Sequence, residues 1–197
     1  MAEGQSSMFD RVQIRRAVAV DAAAIAHVHV ASARDAYAPL SPNWQGVPVS
    51  RRRELWSSVL EVNADKQPLL VALCDGAIVG FAQGGPARHG SAPASTELYV
   101  LHVLPEFRGQ GIGDHLWEGA CSALRGSERR PLYLNTFAEL ACCHFYDRHG
   151  GRVVARHPHA YWGTDVTELV YLWPAGSPHS ASSAATGSLR SKQARGQ

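Results

Sequence analysis

No apolar run in the 197-residue chain approaches the roughly 20 residues that a membrane-spanning helix needs. The opening Met1-Ala2-Glu3-Gly4-Gln5-Ser6-Ser7 has no basic end followed by an apolar stretch, so no signal peptide is expected. Cysteine is scarce: Cys74, Cys121, Cys142 and Cys143 show no metal-ligand spacing, and the adjacent pair is poorly placed to bridge. Reduced thiols in a cytoplasmic protein are the simplest expectation. The histidines at 144, 149, 157 and 159 also lack ligand spacing, so no metal is expected. Excess charge is missing too. The formal net charge is +2, and Arg190, Lys192 and Arg195 stand in an acid-free stretch after Trp173, which leaves the rest near neutral. Neither a nucleic acid nor a membrane is therefore expected as a partner.

What remains is ordinary for one globular domain, with 45% hydrophobic and 18% charged residues. Residues 1–10 read as a loose arm, 11–173 as the folded domain and 174–197 as a disordered tail rich in Ser, Ala, Gly and Pro. Val12 to Arg16 alternates like a strand. Asp21 stands as an N-cap before a helix from Ala22 to Tyr37. A second helix is predicted over Arg51 to Val62, with Leu55, Val59 and Trp56 inward. Asp75-Gly76 between two apolar runs predicts a hairpin, Leu69 to Cys74 with Ala77 to Gly84. Glu97 to Leu104 is a strand, and Ile112, Leu116, Ala120 and Leu124 form a helical stripe ended by Gly126. A short strand over Pro131 to Leu134, a helix over Glu139 to His149 and strands over Arg152 to Arg156 and Glu168 to Trp173 complete the pattern.

The most informative segment is Arg108-Gly109-Gln110-Gly111-Ile112-Gly113, between a strand and a helix. The first N–H groups of a helix lack intrahelical acceptors, and the helix dipole adds to their pull on an anion. Glycines let that backbone approach a phosphate, and Arg108 adds a positive charge at the mouth. A Walker loop is nearly excluded, because Ile112-Gly113-Asp114 stands where Gly-Lys-Ser/Thr is required. A dinucleotide fold is disfavoured by the G-x-G-x-G spacing and by the absence of an acid after Leu134-Asn135.

The run Val103 to Gly113 closely resembles the acetyl-CoA-binding motif of the GNAT family of N-acetyltransferases, an Arg or Gln followed by x-x-G-x-G. Phe145-Tyr146-Asp147-Arg148-His149-Gly150-Gly151 resembles the family's Phe-Tyr-x-x-x-Gly-Phe segment, and the order of elements from Val12 to Trp173 matches its fold. The implied class is α/β (α+β): a mixed, mostly antiparallel sheet flanked by about four helices, with a splayed parallel strand pair at the cofactor site. Departures are Glu139 and Cys142 at the family's Asn and Ala positions and Gly151 at its closing Phe; Asn135 is a substitute cofactor contact.

The resemblance implies acetyl-CoA as co-substrate, with no metal, and direct transfer to a primary amine. The main chain at Arg108, Gly109, Gln110, Gly111, Ile112 and Gly113 would hold phosphates, and main-chain groups at Leu101, His102 and Val103 the pantetheine arm and an oxyanion. Glu97 is the expected base and His102 an alternative; alternation would put Glu97, Tyr99 and Leu101 on one face. Tyr146 matches the family's tyrosine facing the CoA sulfur and is the expected acid, with Cys142 as a remote covalent carrier. Acceptor contacts are expected from Tyr37, Trp44, Gln45, Tyr99, Tyr161 and Trp162, while Arg51-Arg52-Arg53 could reach the cofactor's outer phosphates but reads rather as a solvated helix face. The acceptor is expected to be a small molecule such as an amino acid, polyamine or amino-bearing antibiotic. A protein or peptide acceptor, or a non-catalytic CoA sensor, is the alternative. The family's habit of pairing makes a homodimer an expectation.

Overall fold

The computed structural model describes residues 12–62 and 67–178. The arm expected over 1–10 and most of the expected tail lie outside them. Chain order is β1 (Val12–Arg16), α1 (Ala22–Tyr37), α2 (Val49–Val62), β2 (Leu69–Cys74), β3 (Ala77–Pro86), β4 (Thr96–Val103), α3 (Ile112–Arg125), β5 (Leu132–Phe137), α4 (Cys143–Arg148), β6 (Arg152–Tyr161) and β7 (Thr164–Trp173). Among the described residues the strands form one sheet in the order β1-β2-β3-β4-β5-β7-β6. Every neighbouring pair is antiparallel except β4 and β5. This is the mixed sheet with four flanking helices that the resemblance implies.

The two faces bury different helices. On one, the α3 stripe Ile112, Leu116, Ala120 and Leu124 packs with Trp117, Tyr146 and Trp173 over the sheet. On the other, Ile25, Val28 and Trp56 of α1 and α2 cover Val71 and Phe81. Leu55 does not point inward as expected. It is 43% exposed, and Trp56, at 3%, carries the contact of α2 with α1 and the sheet. Asp21 also departs from expectation. Its carboxylate turns back to accept the Val18 N–H at 2.8 Å and the Arg15 fork, instead of capping α1 forward.

Several features differ from the expected pattern. β6 and β7 run ten residues each, joined by Trp162-Gly163, both at positive φ, in a two-residue turn. The last helix shortens to Cys143–Arg148, because residues 138–142 close local turns such as Leu140 N–H to Phe137 O at 3.1 Å. β4 carries an extra residue. Gly84 faces Leu98 and Gln83 faces Val100, so Tyr99 is left over as a bulge. One extra residue reverses the alternation, so the expected common face of Glu97, Tyr99 and Leu101 does not form. Leu98 and Leu101 share the α3 side, and Val100 lies on the α1 side.

Candidate active site

β4 and β5 pair through only two residue pairs, Thr96 with Leu132 and Glu97 with Tyr133. Beyond them the strands part, while β4 stays bonded to β3 on its other edge as far as Val103. The gap opens into a cleft of about 690 Å³. Leu98 to Val103 line one wall and Leu134, Asn135 and Thr136 the other. The glycine turn with the start of α3 closes one end, and Tyr37, Pro39 and Leu40 stand opposite. Leu101, His102, Val103, Arg108, Gly109, Gly111, Gly113, Asn135, Tyr37, Tyr99 and Tyr146 are thus brought together as expected.

At the turn, Gly109 and Gly111 sit at φ of 73° and 79°, where a side chain is strained. Gly111 is the N-cap of α3 and has no side chain to cap it, so the first N–H groups stay available to a ligand. Gln110 does not line the cleft; its amide donates to Glu106 O at 3.0 Å and braces the turn. Ile112 contributes main chain only, since its side chain is 1% exposed in the core. Arg108 is not a free charge at the mouth. Its Nη1 pairs with Asp35 and its Nε donates to Val103 O at 3.1 Å. Ser32 Oγ also donates to that carbonyl at 3.1 Å, so both Val103 lone pairs serve the fold and are closed to a ligand. Asp114, which would oppose a phosphate, is neutralised by Arg148 at 2.9 Å and approached by His149 Nε2 at 3.1 Å.

Tyr146 reaches the cleft from α4 and is 8% exposed. Burial pushes its phenol well above the ordinary value, and Cys142, Tyr37, Cys143 and Tyr171 push the same way. The hydroxyl has no hydrogen-bond partner among the described residues, so its proton is available to a ligand. Cys142 lies 3.3 Å from Thr136 Oγ1, and burial raises its thiol. Cys143 is pushed up to about 11, again chiefly by burial. Both remain thiols at neutral pH, which opposes a nucleophilic role.

Glu97 is placed differently from the expectation. It occupies the last paired rung before the strands part and does not line the cleft. It is 1% exposed. Arg88 grips it through Nε at 3.0 Å, through Nη2 and through its own N–H at 3.0 Å, and Tyr133 Oη donates at 2.7 Å. Burial raises the carboxyl, but these donors outweigh it and hold the pKa below the ordinary carboxylate value. A carboxylate so engaged is tied to the loop before β4 and is not presented to the cleft. A lowered folded-state pKa means the stability this tie gives is complete above the unfolded value of about 4.3 and is lost as pH falls through the folded value. Glu97→Gln is expected to cost about 1–3 kcal/mol in denaturant unfolding at pH 7. Turnover per folded molecule should change less than about threefold, well short of the factors of a hundred or more that general bases supply. A hundredfold loss of turnover in a stably folded variant would restore the base role.

The far wall is aromatic. Tyr37 lies 5.7 Å from Tyr161 and 6.3 Å from Phe137, and Phe137 lies 5.4 Å from His159. Trp44 stands behind this wall and does not line the cleft; its Nε1 donates to Tyr161 Oη at 3.2 Å. Ser41 Oγ donates to Trp162 O at 2.9 Å, so the loop after α1 is tied to the β6–β7 turn. Tyr99 lines the cleft and donates to Pro86 O at 2.5 Å under the Arg88 guanidinium. His102 lies 5.1 Å from His29 and is lowered to about 4, chiefly by burial and then by Arg108 and Arg52. His29 falls to about 3 for the same leading reason, and its Nδ1 accepts the Trp56 indole N–H at 3.2 Å. Both imidazoles are neutral at pH 7.

Sequence reasoning missed several lining residues, among them Asp35, Thr136 and Arg148. Asp35 and Arg148 enter through ion pairs with Arg108 and Asp114, which no local pattern announces. Phe145 was visible only as a motif letter; its ring lies 3.3 Å from where a Cβ on Gly113 would stand, so it backs the turn.

The chain belongs to the acetyltransferase (GNAT) family, whose sequence model matches residues 30–151. No curated protein matches it in sequence. Among solved structures it is similar to ribosomal-protein-alanine N-acetyltransferase from Brucella melitensis, at 23% identity and a TM-score of 0.66 over 82% of this chain and 99% of that one. It is also similar to an N-acetyltransferase from Staphylococcus aureus Mu50, at 17% identity and a TM-score of 0.66 over 83% and 98% of the two chains. A third is yncA from Salmonella typhimurium, solved with its cofactor acetyl-CoA, at 18% identity and a TM-score of 0.65 over 91% and 99%. At these identities the likeness establishes the fold. Among the described residues, no helix is long and apolar enough to cross a membrane.

Proposed function

We propose that this chain is an acetyl-CoA-dependent N-acetyltransferase that passes the acetyl group directly to a primary amine of a small molecule. One observation carries the reading: a single cleft joins a helix-terminus anion cradle, a strand with an open edge and a protonated phenol. These residues fit a long ligand with phosphates at one end. Main-chain N–H groups of the 108–113 turn would hold the phosphates, Arg148 and Arg108 would flank them, and the open edge of β4 near Leu101 with Asn135 opposite would hold the arm. When bound, acetyl-CoA supplies an acetyl group on a thioester. Tyr146 Oη holds the proton that a departing thiolate needs.

The amine must arrive without its proton. Of the carboxylates at the cleft, Asp35 and Asp114 are paired, and Glu139 accepts the Thr167 N–H at 3.0 Å on the exposed rim. Transfer from an ammonium of pKa about 10.4 to His102 at about 4 is uphill by about six units, whereas loss to water at pH 7 is uphill by about three. The second route wins, so the acceptor binds as its neutral form. The logarithm of kcat/KM is expected to rise with unit slope from pH 6 to the amine's own pKa. A plateau beginning near pH 7 would reveal an enzyme base instead.

A thiol-release assay with acetyl-CoA and a panel of small amines and peptides tests the function. Release with small amines supports it. Release with peptides alone makes the protein a peptide acetyltransferase, and CoA binding without any release makes it a sensor. Cytoplasmic placement and pairing as a homodimer are part of the same proposal, and size-exclusion chromatography with light scattering reads the second.

A further inference from the structure

Successive residues of β5 point to opposite faces of the sheet. Leu134 packs in the core under α3 with Tyr146, and Thr136 Oγ1 lies 3.3 Å from Cys142 at the start of α4. The side chain of Asn135, between them, therefore points to the other face, while its main chain edges the gap where β4 and β5 have parted. Asn135 lines the cleft, is exposed, and its side-chain amide has no hydrogen-bond partner among the described residues. The anion cradle and Tyr146 come from the α3 and α4 face, so the face of Asn135 is the side left to an acceptor. Phe137, two residues on, shares it. Its ring lies 5.0 Å from Tyr161 and 6.3 Å from Tyr37, which also lines the cleft.

The register of β7 adds a charge to this face. Val170 stands opposite Asn135 and Glu168 opposite Phe137, with no shift between the strands. Val170 packs with Tyr133, and Leu169 packs under α3, so Glu168 lies on the face of Asn135 and Phe137. Opposed side chains stand about 5 Å apart at Cβ and diagonal ones about 7–8 Å, which sets Glu168 beside Phe137 and one diagonal step from Asn135. Glu168 is half-buried, yet its carboxylate has no hydrogen-bond or ion-pair partner among the described residues. His157 stands opposite it on β6 but is exposed and makes no ion pair with it. Arg88 is already neutralised by Glu97. An unpaired carboxylate half withdrawn from water within a strand is costly, and a cationic ligand relieves the cost. The rings beside it suit the same ligand, because aromatic faces attract ammonium groups.

We propose that Glu168, with the Asn135 amide and the Phe137 ring, binds a second ammonium group on the acceptor, so that the amines acetylated are diamines and polyamines. One amine enters the gap in its neutral form while the other stays charged against Glu168. The same carboxylate repels acceptors that carry a carboxylate at that end. The proposal rests on the acetyltransferase reading and narrows its acceptor.

A series of α,ω-diamines should be compared in the thiol-release assay with n-alkylamines and ω-amino acids of matched length, with rates expressed per neutral reacting amine. At the best length the diamine is expected to exceed its monoamine by about tenfold or more in kcat/KM, the scale of one charge-assisted contact, and the amino acid to be slowest. Glu168→Gln should bring diamine and monoamine to parity through the diamine's KM, with CoA affinity by calorimetry unchanged. Glu168→Asp, one methylene shorter, should keep part of the preference and move it to a longer diamine. Equal use of diamines and monoamines by the wild-type protein overturns the proposal, and so does a preference that survives in Glu168→Gln. Weaker CoA binding by Glu168→Gln also overturns it, because the carboxylate would then serve the cofactor site. Release with no amine at all would sink the acetyltransferase reading and this proposal with it, whereas equal release with diamines and monoamines sinks this proposal alone.

Discussion

Gly111→Asp is expected to abolish CoA binding while leaving the fold in place. Gly111 combines a φ of 79° with the N-cap position of α3. Aspartate is among the few L-residues that tolerate this region, and it is a good N-cap, so the local structure survives. What changes is the occupant of the anion site. An aspartate cap offers its own carboxylate to the N–H groups that the ligand would use, and it sets a negative charge about 5 Å from the phosphates. At an effective dielectric of about 20, each such charge pair costs about 3 kcal/mol, so affinity should fall at least a hundredfold. Gly111→Asn keeps the shape and removes the charge, and it should lose much less. Calorimetric titration with CoA, alongside circular dichroism for the fold, reads both variants. Normal affinity in Gly111→Asp would place the phosphates elsewhere.

Much of this site was legible because local chemistry determines it. A glycine turn between an apolar strand and a helical stripe can do little else, and Gly109 to Gly113 lies where the spacing put it. The Asp75-Gly76 hairpin and the α3 stripe were readable for the same reason. Features set by partners distant in the chain were not. Glu97 looks like a base at a strand start, and only the fold shows Arg88 and Tyr133 consuming it. The bulge at Tyr99 adds one residue to an apolar strand, too small a change to show in an alternation pattern, yet it reassigns every side chain before it. The Trp162-Gly163 turn was hidden because tryptophan is a poor signal for positive φ. Gly151, which departs from the family's closing Phe, is explained by packing. A Cβ there would meet the Trp173 indole at 2.6 Å, so the indole fills the space near the end of α4.

Tyr146→Phe is expected to lower kcat at least tenfold, consistent with the roughly 10²–10⁴ that a positioned acid supplies, with CoA affinity changed by less than about twofold. The change removes one oxygen. The ring stays, and its contacts with Trp117 at 6.2 Å and Tyr171 at 5.6 Å are those that anchor α4, so stability should hold. The hydroxyl makes no hydrogen bond to a described residue, so its loss leaves no partner unsatisfied. A phenol raised by burial is protonated throughout the working pH range, and the same dry surroundings raise a thiolate formed beside it. The acid and the leaving group therefore move together, and the match between them survives burial. A packing role predicts a different result: lower stability, weaker CoA binding and unchanged turnover at saturating amine. The two accounts part most clearly when the leaving thiol is varied. If Tyr146 donates the proton, acyl donors whose thiols have lower pKa need it less, and the penalty in Tyr146→Phe should shrink as that pKa falls. A penalty that stays constant across such donors, or is absent with acetyl-CoA itself, would remove the tyrosine from the chemistry and leave it as an anchor.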